Sequence, residues 1–142
     1  MFEWNDAVRA RLIRDALKAR EKAYAPYSRF RVGAAALMAS GHEYTGCNVE
    51  SASYPCGICA ERNAIFSAVA CGERELAAVA VVGGSGEEPQ EICVPCGLCR
   101  QVMREFADPK TLRVVLAVSE TCWKEMTLEE LLPMSFGPED LK

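Results

Sequence analysis

Pro55-Cys56-Gly57-Ile58-Cys59-Ala60-Glu61-Arg62, read together with Pro95-Cys96-Gly97-Leu98-Cys99 downstream, decides how this chain is organised. Three soft anionic sulfurs suit Zn²⁺, and a metal site that does chemistry keeps three protein ligands and leaves the fourth tetrahedral corner to water. Cys59, Cys96 and Cys99 are the ligands this reading assigns. Cys96 and Cys99 stand one helical turn apart, so a helix beginning near Pro95 places both sulfurs on one face of its first turn. Cys59 falls at a second helix start, because Pro55 and Gly57 precede it and Ala60, Ala64, Ile65, Ala68 and Val69 recur at helical spacing up to Gly72. Two helix N-termini thus point at one metal, and their positive ends favour thiolate over thiol.

Three thiolates leave the metal with net negative charge and weaken it as a Lewis acid. Arg62 and Arg100 each follow a ligand closely enough to donate hydrogen bonds to the sulfurs, although arginines in such places also simply line solvated helix faces. Glu61 is a poor ligand beside Cys59, since helix neighbours two apart point in different directions, but it can reach the open corner and carry protons there. The single histidine, His42, lies in a Ser-Gly-His-Glu turn far from the cysteines and is a poor proton carrier.

The 142 residues, half of them hydrophobic, fit one domain over 1–142 with a sizeable core. The first twenty residues mix Trp4, Asp6, Arg9, Arg11 and Arg14 among apolar positions, which is the pattern of an amphipathic helix and of neither a signal peptide nor a membrane span. A cytoplasmic address is expected, where eight cysteines serve as metal ligands or buried small side chains rather than disulfides. Burial is the expectation for Cys47, Cys71, Cys93 and Cys122. A net charge of −4 and a pI near 5.1 supply no cationic footprint for a polyanion, so a small uncharged substrate is expected, with no nucleic-acid or membrane partner.

In chain order, Asn5 or Asp6 caps a helix with Val8, Leu12, Ile13, Ala16 and Leu17 on one stripe. The run Phe30 to Ala39 predicts a buried strand, and Glu43 to Cys47 its hairpin partner. Leu76 to Val82 predicts a strand covered on both faces, followed at Gly83-Gly84-Ser85-Gly86 by a flexible loop. Leu98, Val102, Met103 and Phe106 form the apolar stripe of a third helix. Strands at Leu112–Val118 and Thr121–Met126 are joined too tightly for anything but an antiparallel hairpin. A short helix begins at Thr127 and ends at Pro133, leaving a tail with an exposed Phe136. The fold expected is a three-layer α/β/α sandwich around a mixed five-stranded sheet.

Cys-x-Glu followed by Pro-Cys-x-x-Cys is the three-cysteine form of the zinc deaminase signature. With Tyr27-Ser28-Arg29-Phe30-Arg31-Val32-Gly33-Ala34-Ala35, Gly46-Cys47-Asn48-Val49-Glu50 and Glu130-Leu131-Leu132-Pro133 through Pro138, the chain resembles the small cytidine deaminase family from about Tyr24 to Leu141. The resemblance implies zinc on Cys59, Cys96 and Cys99, proton transfer by Glu61, ribose contacts from Asn48 and Glu50, packing of Phe30 on the pyrimidine, an Arg62 bond to the thiolates and a contact between the Ala60 amide and the base carbonyl. It also implies a homotetramer whose pockets borrow Ala52, Tyr54 and Phe136 from neighbours, and a role in pyrimidine salvage. The implied activity is hydrolytic deamination of cytidine and deoxycytidine.

Three positions depart from the family's commoner choices: Ser51 after the Asn-x-Glu pair, Val94 before Pro-Cys, and Cys56. Cys56 opens a different assignment, a closed structural site of Cys56, Cys59, Cys96 and Cys99 without chemistry. The thirty-six residues between those pairs, 60–95, exceed the ribbon spacing of roughly 15 to 20 and leave Glu61 without a role. A third assignment keeps the reaction and changes the substrate to an aminonucleoside antibiotic or a base within RNA, against which Asn48-x-Glu50 and the acidic balance speak.

Overall fold

The computed structural model describes residues 2–142. In chain order these form α1 (Asp6–Arg20), β1 (Arg31–Met38), β2 (Glu43–Cys47), a 3-10 turn (Tyr54–Cys56), α2 (Ala60–Ala70), β3 (Leu76–Gly84), α3 (Gly97–Phe106), β4 (Arg113–Ala117), β5 (Trp123–Thr127), α4 (Leu128–Leu131) and a last 3-10 turn (Pro138–Leu141). The sheet runs β2-β1-β3-β4-β5, parallel only between β3 and β4 and antiparallel at every other pair. The expected mixed five-stranded sheet is therefore the observed one, including the antiparallel β4–β5 hairpin.

Period-two alternation divides the strands between two cores. Ala35, Leu37, Ala78, Ala80 and Val82 pack under α1 with Leu12, Ile13 and Ala16. Ala34, Ala36, Met38, Val79 and Val81 turn the other way and pack with Ala64, Ile65 and Ala68 of α2 and Met103 of α3. Small residues on β1 and β2 bring the helices close. A Cβ on Gly33 would lie 2.0 Å from the Ala16 carbonyl oxygen of α1, and a Cβ on Gly46 would lie 2.5 Å from the Ala64 nitrogen and 2.6 Å from the Ala60 oxygen of α2. Gly46 thereby seats the first turns of α2, the turns that carry Glu61, directly on the sheet.

Of the two candidates, Asn5 is the cap of α1, accepting from the Val8 N–H at 2.9 Å, and Asp6 is the first helical residue. The helix expected to begin near Pro95 starts at Gly97, with Cys96 as its N-cap. Two expectations need correction. Leu98 belongs to no core and is 65 % exposed, whereas Met103, with Val102 and Phe106 packed beside it, carries the α3 contribution to the core. Cys71 and Cys122 are exposed rather than buried, both lying in turns after the apolar elements have ended, while Cys47 and Cys93 are partly buried.

The glycine-rich segment after β3 is also not the free loop expected. The buried Arg20 guanidinium donates to the carbonyl oxygens of Gly84 (2.8 Å), Gly86 (2.6 Å) and Glu87 (2.7 Å), and through Nε to that of Arg31 (3.1 Å). Four carbonyls replace the water that a buried cation loses. Among the described residues, no helix is long and apolar enough to cross a membrane.

Candidate active site

The starts of α2 and α3 come together in space, although residues 71–96, with β3 among them, separate the two helices in the chain. Cys59 is the N-cap of α2 and Cys96 that of α3, and neither side chain makes a capping hydrogen bond. A serine or aspartate there would turn back onto the helix N–H groups. The thiols instead face each other: Cys59 Sγ lies 3.8 Å from Cys96 Sγ, and Cys96 Sγ 3.5 Å from Cys99 Sγ. All three sulfurs lie within 4.8 Å of one another. Tetrahedral Zn²⁺ with Zn–S bonds of about 2.3 Å requires sulfurs roughly 3.8 Å apart, so the three residues fit the ion.

Cys56 is exposed in the 3-10 turn and stands outside this cluster among the described residues, which removes the support for a four-cysteine site. The local electrostatics favour thiolate at Cys59. A hydrogen bond from the Cys99 thiol, aided by Arg62, lowers its pKa to about 5 against the opposing effect of burial. The same shared proton and burial push Cys99 up. Arg62 Nη2 donates to Cys59 Sγ at 3.4 Å, as expected. Arg100 does not reach the sulfurs: its guanidinium donates to the backbone oxygens of Pro95 and Leu131, each at 2.7 Å, and so fixes the approach to α3.

Glu61, in the first turn of α2, is 4 % exposed. Burial, then the charge of Cys59, raises its carboxyl pKa to about 7, where it can both take and give a proton near neutrality. It opens onto a cavity of about 710 Å³ that Cys59 and Cys96 also border. Ala60 borders the same cavity at the α2 N-terminus, where the first N–H groups of a helix have no intrahelical partner. His42 is remote, in contact with Glu73 at 3.2 Å.

Another wall of the cavity is a strap, residues 24–30, that leads into β1 and is held by Asn48 and Glu50. Asn48 accepts from the Val32 N–H and donates to the Phe30 oxygen, both at 2.8 Å. Glu50 Oε1 accepts from the N–H groups of Tyr27 (3.0 Å) and Ser28 (3.1 Å), and Oε2 accepts from the Ser28 hydroxyl. These bonds hold the Glu50 carboxyl below the usual carboxylate range, the Ser28 hydroxyl contributing most. Both side chains keep spare capacity toward the cavity, one amide hydrogen on Asn48 and further lone pairs on Glu50. Phe30 and Tyr54 border the cavity, whereas Ala52 and Phe136 do not border it in this chain. The residues that sequence reasoning passed over are Ser28 and Cys93, which also face the cavity. A hydroxyl two residues before Phe30 is the signal that was available for Ser28, since serines in that relation commonly bond the backbone N–H two positions on.

A model of the cytidine and deoxycytidylate deaminase zinc-binding region matches residues 7–116. The chain is 46% identical to a cytidine deaminase of Halalkalibacterium halodurans, across 94% of this chain and 97% of that one. It is also 46% identical to a cytidine deaminase of Sporosarcina psychrophila, across 92% and 93% of the two chains. Among solved structures it is similar to a cytidine deaminase from Burkholderia pseudomallei, with TM-score 0.80, 50% identity, and 89% and 97% of the two chains covered. A similar match to a cytidine deaminase from Mycobacterium tuberculosis has TM-score 0.76 and 40% identity, covering 89% and 95% of the two chains.

Proposed function

Since the chain belongs to the cytidine and deoxycytidylate deaminase family, we propose that it hydrolyses cytidine and deoxycytidine to uridine and deoxyuridine with release of ammonia. The observation that carries this reading is one cavity bordered by Cys59 and Cys96 of the three-cysteine cluster, by the buried Glu61 and by the hydrogen-bonding Asn48/Glu50 pair. That pairing suits a small polar molecule with an amino-bearing ring and a sugar.

Cys59, Cys96 and Cys99 would hold Zn²⁺, which when bound supplies Lewis acidity and a water acidic enough to act as nucleophile. Glu61 accepts a proton from the attacking water and delivers it to N3 of the pyrimidine as the water oxygen adds to C4. The second proton from that oxygen passes through Glu61 to the amino nitrogen. The C4–N bond then breaks, the C4 carbonyl forms, and ammonia leaves. The Ala60 N–H would meet the base carbonyl at C2, Phe30 would pack against the ring, and Asn48 and Glu50 would bind the ribose hydroxyls with their spare capacity. Arg62 draws charge from the Cys59 sulfur, offsetting the cost of three anionic ligands.

The finer assignments belong to the same reading: one deaminase domain over 1–142, a cytoplasmic address, a place in pyrimidine salvage, and a homotetramer. The exposure of Tyr54, Leu98, Met134 and Phe136 supports the last, because these are large apolar side chains that this chain alone leaves in solvent. In that assembly Ala52, Tyr54 and Phe136 would reach neighbouring pockets. The test is loss of cytidine ultraviolet absorbance on adding purified protein, with zinc per chain determined on the same sample. Conversion to uridine with about one zinc per chain is expected. Zinc without turnover of cytidine or deoxycytidine would redirect the reading to another amino-substituted nucleoside.

A further inference from the structure

We infer that Ser28 is a positioning residue whose hydroxyl couples the Glu50 carboxylate to the backbone of Phe30, so that the sugar end and the ring end of the cavity hold one geometry. This rests on the assignment of Glu50 to the sugar and Phe30 to the base. Ser28 Oγ donates to Glu50 Oε2 and accepts from the Phe30 N–H at 3.0 Å. A hydroxyl has one hydrogen and two lone pairs, and here each role has a partner on a different wall. The bond to a carboxylate is charge-assisted and therefore among the stronger ones available.

The backbone between these partners is under strain. Arg29, which separates Ser28 from Phe30, has φ of 58°, a left-handed conformation that side chains other than glycine adopt at a cost. Such a residue persists where its surroundings over-determine it. The Arg29 N–H donates to the Ala25 oxygen at 3.0 Å, and the Glu50 carboxylate holds Tyr27 and Ser28 just ahead of it. Downstream of the strained residue, the Phe30 N–H has Ser28 Oγ as its partner, and the Phe30 oxygen has Asn48. Remove the hydroxyl, and the Phe30 N–H is released while Glu50 loses its one side-chain donor on the strap. The ring then loses its fixed relation to the sugar site.

The experiment compares Ser28→Ala and Ser28→Thr in the zinc-loaded enzyme, in the native and Glu50→Gln backgrounds, together with amide hydrogen exchange at Phe30. Ser28→Ala is expected to raise KM for cytidine about tenfold, the scale of one lost hydrogen bond to a charged group, with kcat and melting temperature little changed. Ser28→Thr, which keeps the hydroxyl, recovers most of the loss. In the Glu50→Gln background the alanine adds little, because the hydroxyl acts through that carboxylate. Phe30 amide exchange quickens in Ser28→Ala without any substrate present. A KM within twofold of native, an equal KM rise in both backgrounds, or an unchanged Phe30 exchange rate would each overturn the inference, as would a joint fall in kcat and melting temperature. Native protein inert toward cytidine would defeat the assignment of the reaction, while the exchange result still decides the coupling.

Discussion

The metal corner and the strap wall enclose one cavity by opposite means. At the corner, Cys59 and Cys96 are helix N-caps and Cys99 follows one turn later, so local spacing and two helix starts place the sulfurs. On the strap, residues 24–30 belong to no helix or named strand, and side chains eighteen to twenty-three positions away hold them. Chemistry that needs fixed charge sits on the rigid side. On the proposed function, recognition falls to the side built from hydrogen bonds, where a lost contact would loosen the wall without dismantling the fold.

The sharpest way to break this comparison is at the corner. Cys96→Ala removes one of three donors and is expected to abolish both zinc retention and turnover, read by metal analysis and assay of one sample. Full metal retention would take Cys96 out of the ligand set. Glu61→Gln should separate metal from chemistry: zinc stays near the native content while kcat falls by about 10³-fold or more. Near-native turnover in a zinc-loaded glutamine variant would rule out Glu61 as the proton carrier.

The corner was legible in the sequence because its determinants are local. The α2 start at Cys59, the one-turn spacing of Cys96 and Cys99 and the Asn5 cap follow from proline, glycine and helical periodicity. Periodicity fails where burial depends on what covers a face. Leu98 has the spacing of a core residue, but the described residues leave most of it in solvent. Arg20 reads as a charged residue at a helix end, yet it is buried because four distant carbonyls converge on it. The Asn-x-Glu pair was readable as a polar site, whereas its work in holding the strap was not, since those partners lie across a fold that no local pattern encodes.

An intermediate test falls on the strap itself. Glu50→Ala removes the acceptor for three strap donors and should raise KM for cytidine by about 100-fold, with zinc content unchanged. The pH dependence has a definite sign. Because the folded-state pKa of Glu50 is depressed, its contribution is present above the unfolded carboxylate value and is lost as pH falls through the lower folded value. In the folded protein the same lowered pKa keeps Glu50 ionised from neutrality down to about pH 5, so the strap's contribution to KM should stay constant over that range. Glu50→Ala should weaken binding with only a small fall in melting temperature, because strap residues 24–30 lie outside both cores.

The smallest effect is expected at Arg29, and its sign tests whether the strap is imposed rather than locally preferred. At φ of 58° a non-glycine residue costs roughly 1–2 kcal/mol, which Arg29→Gly would relieve. Glycine also gives the unfolded chain more freedom, which costs about 0.5–1 kcal/mol on folding. The two terms leave a net stabilisation of about 1 kcal/mol or less, readable as a rise of a few degrees in melting temperature. KM should change little, because the bonds from Glu50 and Asn48 to Tyr27, Ser28 and Phe30 do not involve the Arg29 side chain. A fall in melting temperature would mean that the arginine contributes contacts outweighing the left-handed strain. A large rise in KM at unchanged stability would mean that strain at position 29, and not the carboxylate beside it, holds Phe30 against the cavity.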